Sequence, residues 1–118
     1  MPYSVKNQVI RNADGQIKFW VPSEGGREHY HVGLWIEATP EELDRIEEVE
    51  YELDPSFRRR VRRSANRDNK FGITIWTWGM FEVGVKIHLH GGEVRTLSYY
   101  LSYELPPDTG DNYAQVAE

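Results

Sequence analysis

Apolar residues recur at every second position through most of this chain, and that spacing constrains the fold more than any other feature. Period two is the repeat of a strand with one buried face, because successive side chains point to opposite sides of a pleated backbone. In 29–36, Tyr30, Val32, Leu34 and Ile36 share one face while His29, His31, Gly33 and Trp35 share the other. In 46–54, Val49, Tyr51 and Leu53 alternate with Glu48, Glu50, Glu52 and Asp54, giving one dry face and one acidic face. Further inward sets are Phe71, Ile73 and Ile75; Phe81, Val83, Val85, Ile87 and Leu89; and Leu97, Tyr99, Leu101, Tyr103 and Leu105. Near the start, Asn12-Ala13-Asp14-Gly15 reads as a turn joining strands 4–11 and 16–21 in a hairpin.

Only one segment reads as helix. Thr39-Pro40-Glu41-Glu42 offers a capping threonine, proline at the first helical position and glutamate three residues after the cap. The turn must give way to strand near Ile46, where alternation resumes. Seven short strands with turn signals between them and one short helical turn predict an all-β fold, an immunoglobulin-like antiparallel β-sandwich. With 118 residues there is room for one such core. The organisation expected is an N-terminal hairpin or extension over 1–28, the sandwich over 29–105 and a frayed polar tail over 106–118.

Composition narrows the function classes. No cysteine is present, which removes disulfides, thiolate metal sites and a cysteine nucleophile together. Nineteen acids face fourteen bases, for a formal charge of −5, so the overall field repels nucleic acid and anionic membranes. Neither partner is expected, and with no apolar span or signal region the expected location is cytoplasmic. The small net charge conceals two opposed blocks. Residues 39–54 hold eight acids and one arginine, whereas 58–70 hold seven bases and one aspartate. The run Arg58-Arg59-Arg60-Val61-Arg62-Arg63 reads as a solvated loop facing the acidic strand, or as a contact for an acidic partner.

Two short motifs carry more chemistry. Leu53-Asp54-Pro55-Ser56-Phe57 ends one predicted strand, and about twenty residues later Thr77-Trp78-Gly79-Met80-Phe81 leads into another. In their order and separation these resemble the YEATS domain, an immunoglobulin-like fold whose eukaryotic members read acylated lysine on histone tails. The resemblance covers roughly 29–105 and is nearer to the prokaryotic branch. It implies a non-enzymatic binding module that takes an acetyl- or crotonyl-type lysine, without a cofactor, in an aromatic slot at one end of the sandwich. It also implies the roles. The Ser56 hydroxyl and the backbone N–H at Trp78 would hold the acyl amide, Phe57 and Trp78 would sandwich it, Gly79 would let the backbone pass beneath it, and Phe81 would close the wall.

Two departures from the family pattern bear on the ligand. Asp54 stands where eukaryotic members carry a histidine, and an ionised carboxylate would suit a charged ligand such as methyl-lysine. Tyr30 is a loose match to a further aromatic that the family supplies before its first core strand. A packing role for Phe57, Trp78 and Phe81 at the end of the sandwich stays open.

A different class of function rests on two His-x-His pairs, His29/His31 and His88/His90, each on one strand face. Were the two strands neighbours, four imidazoles would converge, with Glu37 or Glu82 available to complete a metal site. A third reading is an interaction module built on the acidic strand, the arginine run and the outward tryptophans Trp35 and Trp76. No nucleophile elbow or glycine-rich phosphate loop is present, so an enzyme is not expected.

Overall fold

The computed structural model describes residues 3–23 and 25–116. Nine strands form two sheets among these residues: β1 (Ser4–Val9), β2 (Ile17–Trp20), β3 (His29–Glu37), β4 (Ile46–Glu52), β5 (Val61–Ser64), β6 (Ile73–Thr77), β7 (Phe81–Leu89), β8 (Val94–Leu101) and β9 (Tyr113–Gln115). One sheet is centred on β3, which carries β1 and β2 on one edge and β6 on the other, with β9 outside β2. The other has the order β5-β4-β7-β8. Their inner faces meet in one core of Val32, Leu34, Ile36 and Ile75 against Val49, Tyr51, Val83, Val85, Ile87 and Leu101, all buried. These are the period-two positions, and the all-β sandwich is the observed fold.

The helical turn α1 (Pro40–Leu43) forms as its residues dictate. Thr39 accepts from the Glu42 N–H, and the Glu42 carboxylate accepts from the Thr39 N–H. This reciprocal cap suffices for four residues, after which the alternating pattern takes over at Ile46.

Three expectations change. The N-terminal strands do not form a hairpin with each other. Ser4–Val9 pairs with 32–37 of β3, while Phe19 and Trp20 pair with Tyr30 and His29, so β1 and β2 lie end to end along the same edge. The turn at 12–15 is real, with the Asn12 carboxamide accepting from the N–H groups of Asp14 and Gln16. It closes over a single bridge, Arg11 to Ile17, because nine-residue β3 offers both strands longer pairing than they offer each other.

The segment after Pro106 does not fray as far as it is described. Thr109 N–H and Gly110 N–H donate to Asn112 and Asp108 side chains, and the Tyr113 hydroxyl donates to the Pro106 carbonyl at 2.6 Å. That internal bonding delivers β9 to β2 in parallel register. Finally, the arginine run is only partly loop: Val61–Ser64 is an edge strand on β4. Register puts Arg63 opposite Glu50, and their side chains meet at 3.3 Å, while Arg60 reaches Glu52 at 3.9 Å.

Candidate functional site

The two motifs come together where the chain passes between sheets. The loop after β4 leaves one sheet, and residues 78–80 carry the chain from β6 in the first sheet to β7 in the second. Between them lies a cleft of about 290 Å³ lined by Arg27, Asp54, Ser56, Phe57, Thr77, Trp78, Gly79, Met80 and Phe81. Six of the seven ligand-binding residues expected from sequence therefore share one cavity.

Local bonding explains the shape of each wall. Leu53 N–H donates to the Arg60 carbonyl at 2.7 Å, which pinches 54–59 into a closed loop. Inside it the Asp54 carboxylate accepts from the Ser56 N–H at 2.9 Å, and the Asp54 carbonyl accepts from the Phe57 N–H at 3.0 Å. This Asx turn aims Phe57 toward Phe81, with ring centroids 5.3 Å apart and planes inclined by 53°. Both rings also touch the core, so packing and cleft lining are combined in the same side chains.

On the opposite wall the Thr77 hydroxyl is buried, donating to the Gly79 carbonyl at 3.1 Å and accepting from the Gly79 N–H at 3.3 Å. Tyr103 donates to the same carbonyl at 3.3 Å. Held this way, Trp78 projects outward and is 47% exposed. Among the described residues its backbone N–H meets no acceptor. Gly79 is not demanded by the protein's own conformation, since a Cβ there meets nothing within 4 Å and its φ is not left-handed.

Charge at the mouth departs from a methyl-lysine cage. The Arg27 guanidinium lies 5.0 Å from the Trp78 ring centroid, and that of Arg62 lies 6.0 Å from Phe57, so cations already face both aromatic walls. The Asp54 carboxyl sits below the usual carboxylate range, first because the Ser56 backbone N–H bonds to it, then through the Ser56 side chain and the charge of Arg60. Its charge stabilises the loop.

Tyr30 does not line this cleft. It faces Tyr103 at 6.5 Å, and with Phe19 and Tyr113 it forms an adjoining aromatic cluster. Arg27 was missed by motif reading, as was Tyr103 behind the cleft, while Thr77 and Met80 stood in the second motif without an assigned role. Arg27 and Tyr103 reach the site from distant segments, and no local spacing announces them.

The four histidines do not converge, so the alternative reading of a metal site at His29, His31, His88 and His90 is not met. His29 and His31 are on β3 and His88 is on β7, in different sheets. His90 lies beyond the end of β7, exposed in the turn to β8, where its backbone N–H donates to the Arg45 carbonyl at 2.9 Å. The strand ends at Leu89, so His88 and His90 do not share one strand face as period two implied. His29 stacks on Trp20 at 4.4 Å and His31 on Trp76 at 4.5 Å, while His88 lies 3.8 Å from Glu50. No group of three metal-ligating side chains occurs among the described residues.

A wider depression of about 640 Å³ lies over Gly33, with Trp35, Glu37 and Lys70 in its lining. Three of its polar side chains are engaged with one another: Trp35 Nε1 donates to Glu37 at 3.1 Å, and Lys70 pairs with Glu37 at 3.7 Å. The smaller cleft has the better chemistry, with an outward indole, an unengaged N–H and a hydroxyl at one strand-end.

The fold is a two-sheet immunoglobulin-like sandwich with an aromatic cleft between strand-end loops. The chain belongs to the prokaryotic YEATS domain family, whose profile matches residues 30–102. Among solved structures it is similar to the yeast Yaf9 YEATS domain bound to H3K27ac, at 17% identity and a TM-score of 0.60, over 90% of this chain and 71% of that one. The Yaf9 YEATS domain recognising an H3K122suc peptide is also similar, at 17% identity and TM-score 0.58, over 85% and 69% of the two chains. The yeast Yaf9 protein in a further crystal structure matches at 15% identity and TM-score 0.60, over 86% and 69%. At these identities the shared property is the fold. No curated protein sequence matches this chain significantly.

Proposed function

We propose that this domain is a non-enzymatic binding module that takes an acylated lysine side chain, of acetyl or crotonyl type, into the cleft between the 54–60 and 78–80 loops. The observation that carries this reading is the convergence of Ser56, Phe57, Trp78, Gly79 and Phe81 on one cavity of about 290 Å³. Acylation turns a hydrated ammonium into a flat neutral amide, which leaves water readily when its carbonyl and N–H find partners. The Trp78 N–H is available to the acyl carbonyl, the Ser56 hydroxyl oxygen, whose proton is turned to Asp54, to the amide N–H, and the Trp78 indole to the flat face. Open space beside Gly79 leaves room for the acyl chain.

Arginines favour such a ligand over a cation. Arg27 and Arg62 face the two aromatic walls, so a methylated ammonium would enter against like charge. Arg58 and Arg59 are exposed and make no ion pair among the described residues. They would meet acidic residues flanking the acylated lysine, which makes an acidic, lysine-acylated peptide or protein the expected partner. Among the described residues no helix is long and apolar enough to cross a membrane.

The test is a peptide screen by calorimetry and tryptophan fluorescence with acetyl-, crotonyl-, trimethyl- and unmodified lysine. Saturable binding of the acylated peptides that Trp78→Ala weakens is the expected result, with no Trp78-dependent binding of the trimethylated or unmodified ones. Equal affinity for all four, or preference for trimethyl-lysine at this cleft, would overturn the reading.

A further inference from the structure

A second aromatic site lies at the junction of the N- and C-terminal segments. Pairing of Phe19 with Tyr30, and of β2 with β9, brings together Phe19, Tyr30 and Tyr113. Each pair of these rings has its centroids 6.4 Å apart, with planes inclined by 45°, 68° and 67°. The three rings bound a cavity of about 190 Å³ whose other lining residues are two acids, Glu28 and Asp108.

Steeply inclined, equidistant rings around a void make a cage, not a stack. Three centroids 6.4 Å apart form an equilateral triangle, and the point equidistant from them lies at that separation divided by √3. For 6.4 Å that distance is about 3.7 Å, within the roughly 6 Å reach of cation–π attraction. The acids supply the matching charge. Glu28 makes no ion pair among the described residues, and Asp108 commits one carboxylate oxygen to the Gly110 N–H at 2.8 Å, leaving the other. Burial, and after it the charges of Glu28, Tyr113 and Asp108, hold the Tyr30 hydroxyl above its ordinary value, so both carboxylates act on the cage. Arg11, whose charge also reaches Tyr113, is tied to the Gly15 carbonyl at 3.0 Å.

We infer that the cage of Phe19, Tyr30 and Tyr113, rimmed by Glu28 and Asp108, binds a methylated ammonium group. Methylation removes the N–H donors that keep an ordinary ammonium hydrated, so the charge passes easily from water to aromatic faces. The site is independent of the acyl cleft, shares no lining residue with it and has the opposite charge at its rim. A methylated lysine side chain and a free choline-like molecule present the same head group.

Calorimetric titration of the full chain with tetramethylammonium, choline and N,N,N-trimethyllysine tests this, with 3,3-dimethylbutan-1-ol as the neutral isostere of choline. Saturable binding of the cations is expected, with the isostere weaker by about tenfold or more. The surface double variant Glu28→Gln/Asp108→Asn should weaken binding about tenfold at an unchanged melting temperature. Tighter binding of trimethyllysine than of choline would support a peptide source, and the reverse order a free small molecule. Trp78→Ala should leave all of these affinities unchanged. Equal binding of choline and its isostere, wild-type affinity in the double variant, loss of choline binding in Trp78→Ala, or no saturable heat with any cation would each overturn the assignment.

Discussion

Replacing Trp78 by alanine tests the acyl cleft most directly, because about half of this cleft-lining side chain is open to a ligand. A tryptophan buries up to about 250 Å² when fully covered, and with 47% of Trp78 exposed roughly 115 Å² is available to a ligand. At about 25 cal/mol per Å² this corresponds to about 3 kcal/mol, or on the order of a hundredfold in affinity, as an upper bound for complete coverage. The covered half is worth at most a comparable amount to the fold, an upper bound because the unfolded chain already shields part of it. Trp78 lies outside the core, and its contact with Arg27 is an exposed cation–π pair worth about 0.5–1 kcal/mol. Trp78→Ala should therefore lower affinity for a crotonyl-lysine peptide by ten- to a hundredfold, by about 1.4–3 kcal/mol, in a protein that circular dichroism shows to be still folded. Fluorescence supplies a second readout, because Trp20, Trp35 and Trp76 all lie in the sheet centred on β3 and only Trp78 lines the cleft. Ligand-dependent quenching should vanish in the variant. Wild-type affinity in a folded Trp78→Ala protein would refute the reasoning.

Three other perturbations probe what holds the site. Tyr51→Phe removes the buried hydroxyl that donates to the Phe71 carbonyl at 2.6 Å, beside two residues with left-handed φ (Lys70, 58°; Phe71, 57°), and should cost about 1–3 kcal/mol by urea denaturation. Gly72→Ala puts a Cβ 2.8 Å from the Leu34 carbonyl oxygen and 3.0 Å from that of Asn69, for a loss of about 1–3 kcal/mol, whereas Gly79→Ala meets open space and should stay within about 0.5 kcal/mol of wild type. Equal effects of the two alanines would show that backbone crowding at Gly72 is not the cause. His31 is held below its ordinary value of 6.5 by burial and then by Lys18. The unfolded chain thus takes up a proton that the folded chain resists, so the stability contributed by neutral His31 is full above about pH 6.5 and is lost as pH falls. Melting temperature between about pH 7.5 and 5.5 should fall more in wild type than in His31→Phe, which keeps a ring against Trp76; parallel slopes would refute this.

Local chemistry decided a large part of this molecule within the sequence. Period two placed Val32, Leu34, Ile36, Val83, Val85 and Ile87 in the core because pleating leaves no other way to bury alternate side chains. The cap at Thr39 and the Asx turn at Asp54 are bonds within three residues, so their residue types suffice. The two cleft motifs were legible for the same reason, each being a strand-end turn of characteristic composition.

Tertiary structure alone decided which segments meet. A period-two pattern names a strand's face but not its partner, so nothing local distinguished a hairpin between 4–11 and 16–21 from two strands in line on β3. For the same reason the His-x-His pairs at 29–31 and 88–90 left a metal site open as an alternative until the sheets separated them and His90 fell in the turn past β7. Tyr30 changed neighbourhood through its register opposite Phe19, joining Tyr113 from a tail whose polar composition concealed a docking strand. Arg27 was placed over Trp78 by loop packing across fifty residues of sequence, and that contact determines the charge at the cleft. Sequence thus set the faces and the turns, which depend on neighbours a few residues away, while pairing and register, which depend on burial summed over the whole chain, set the cleft and the cage.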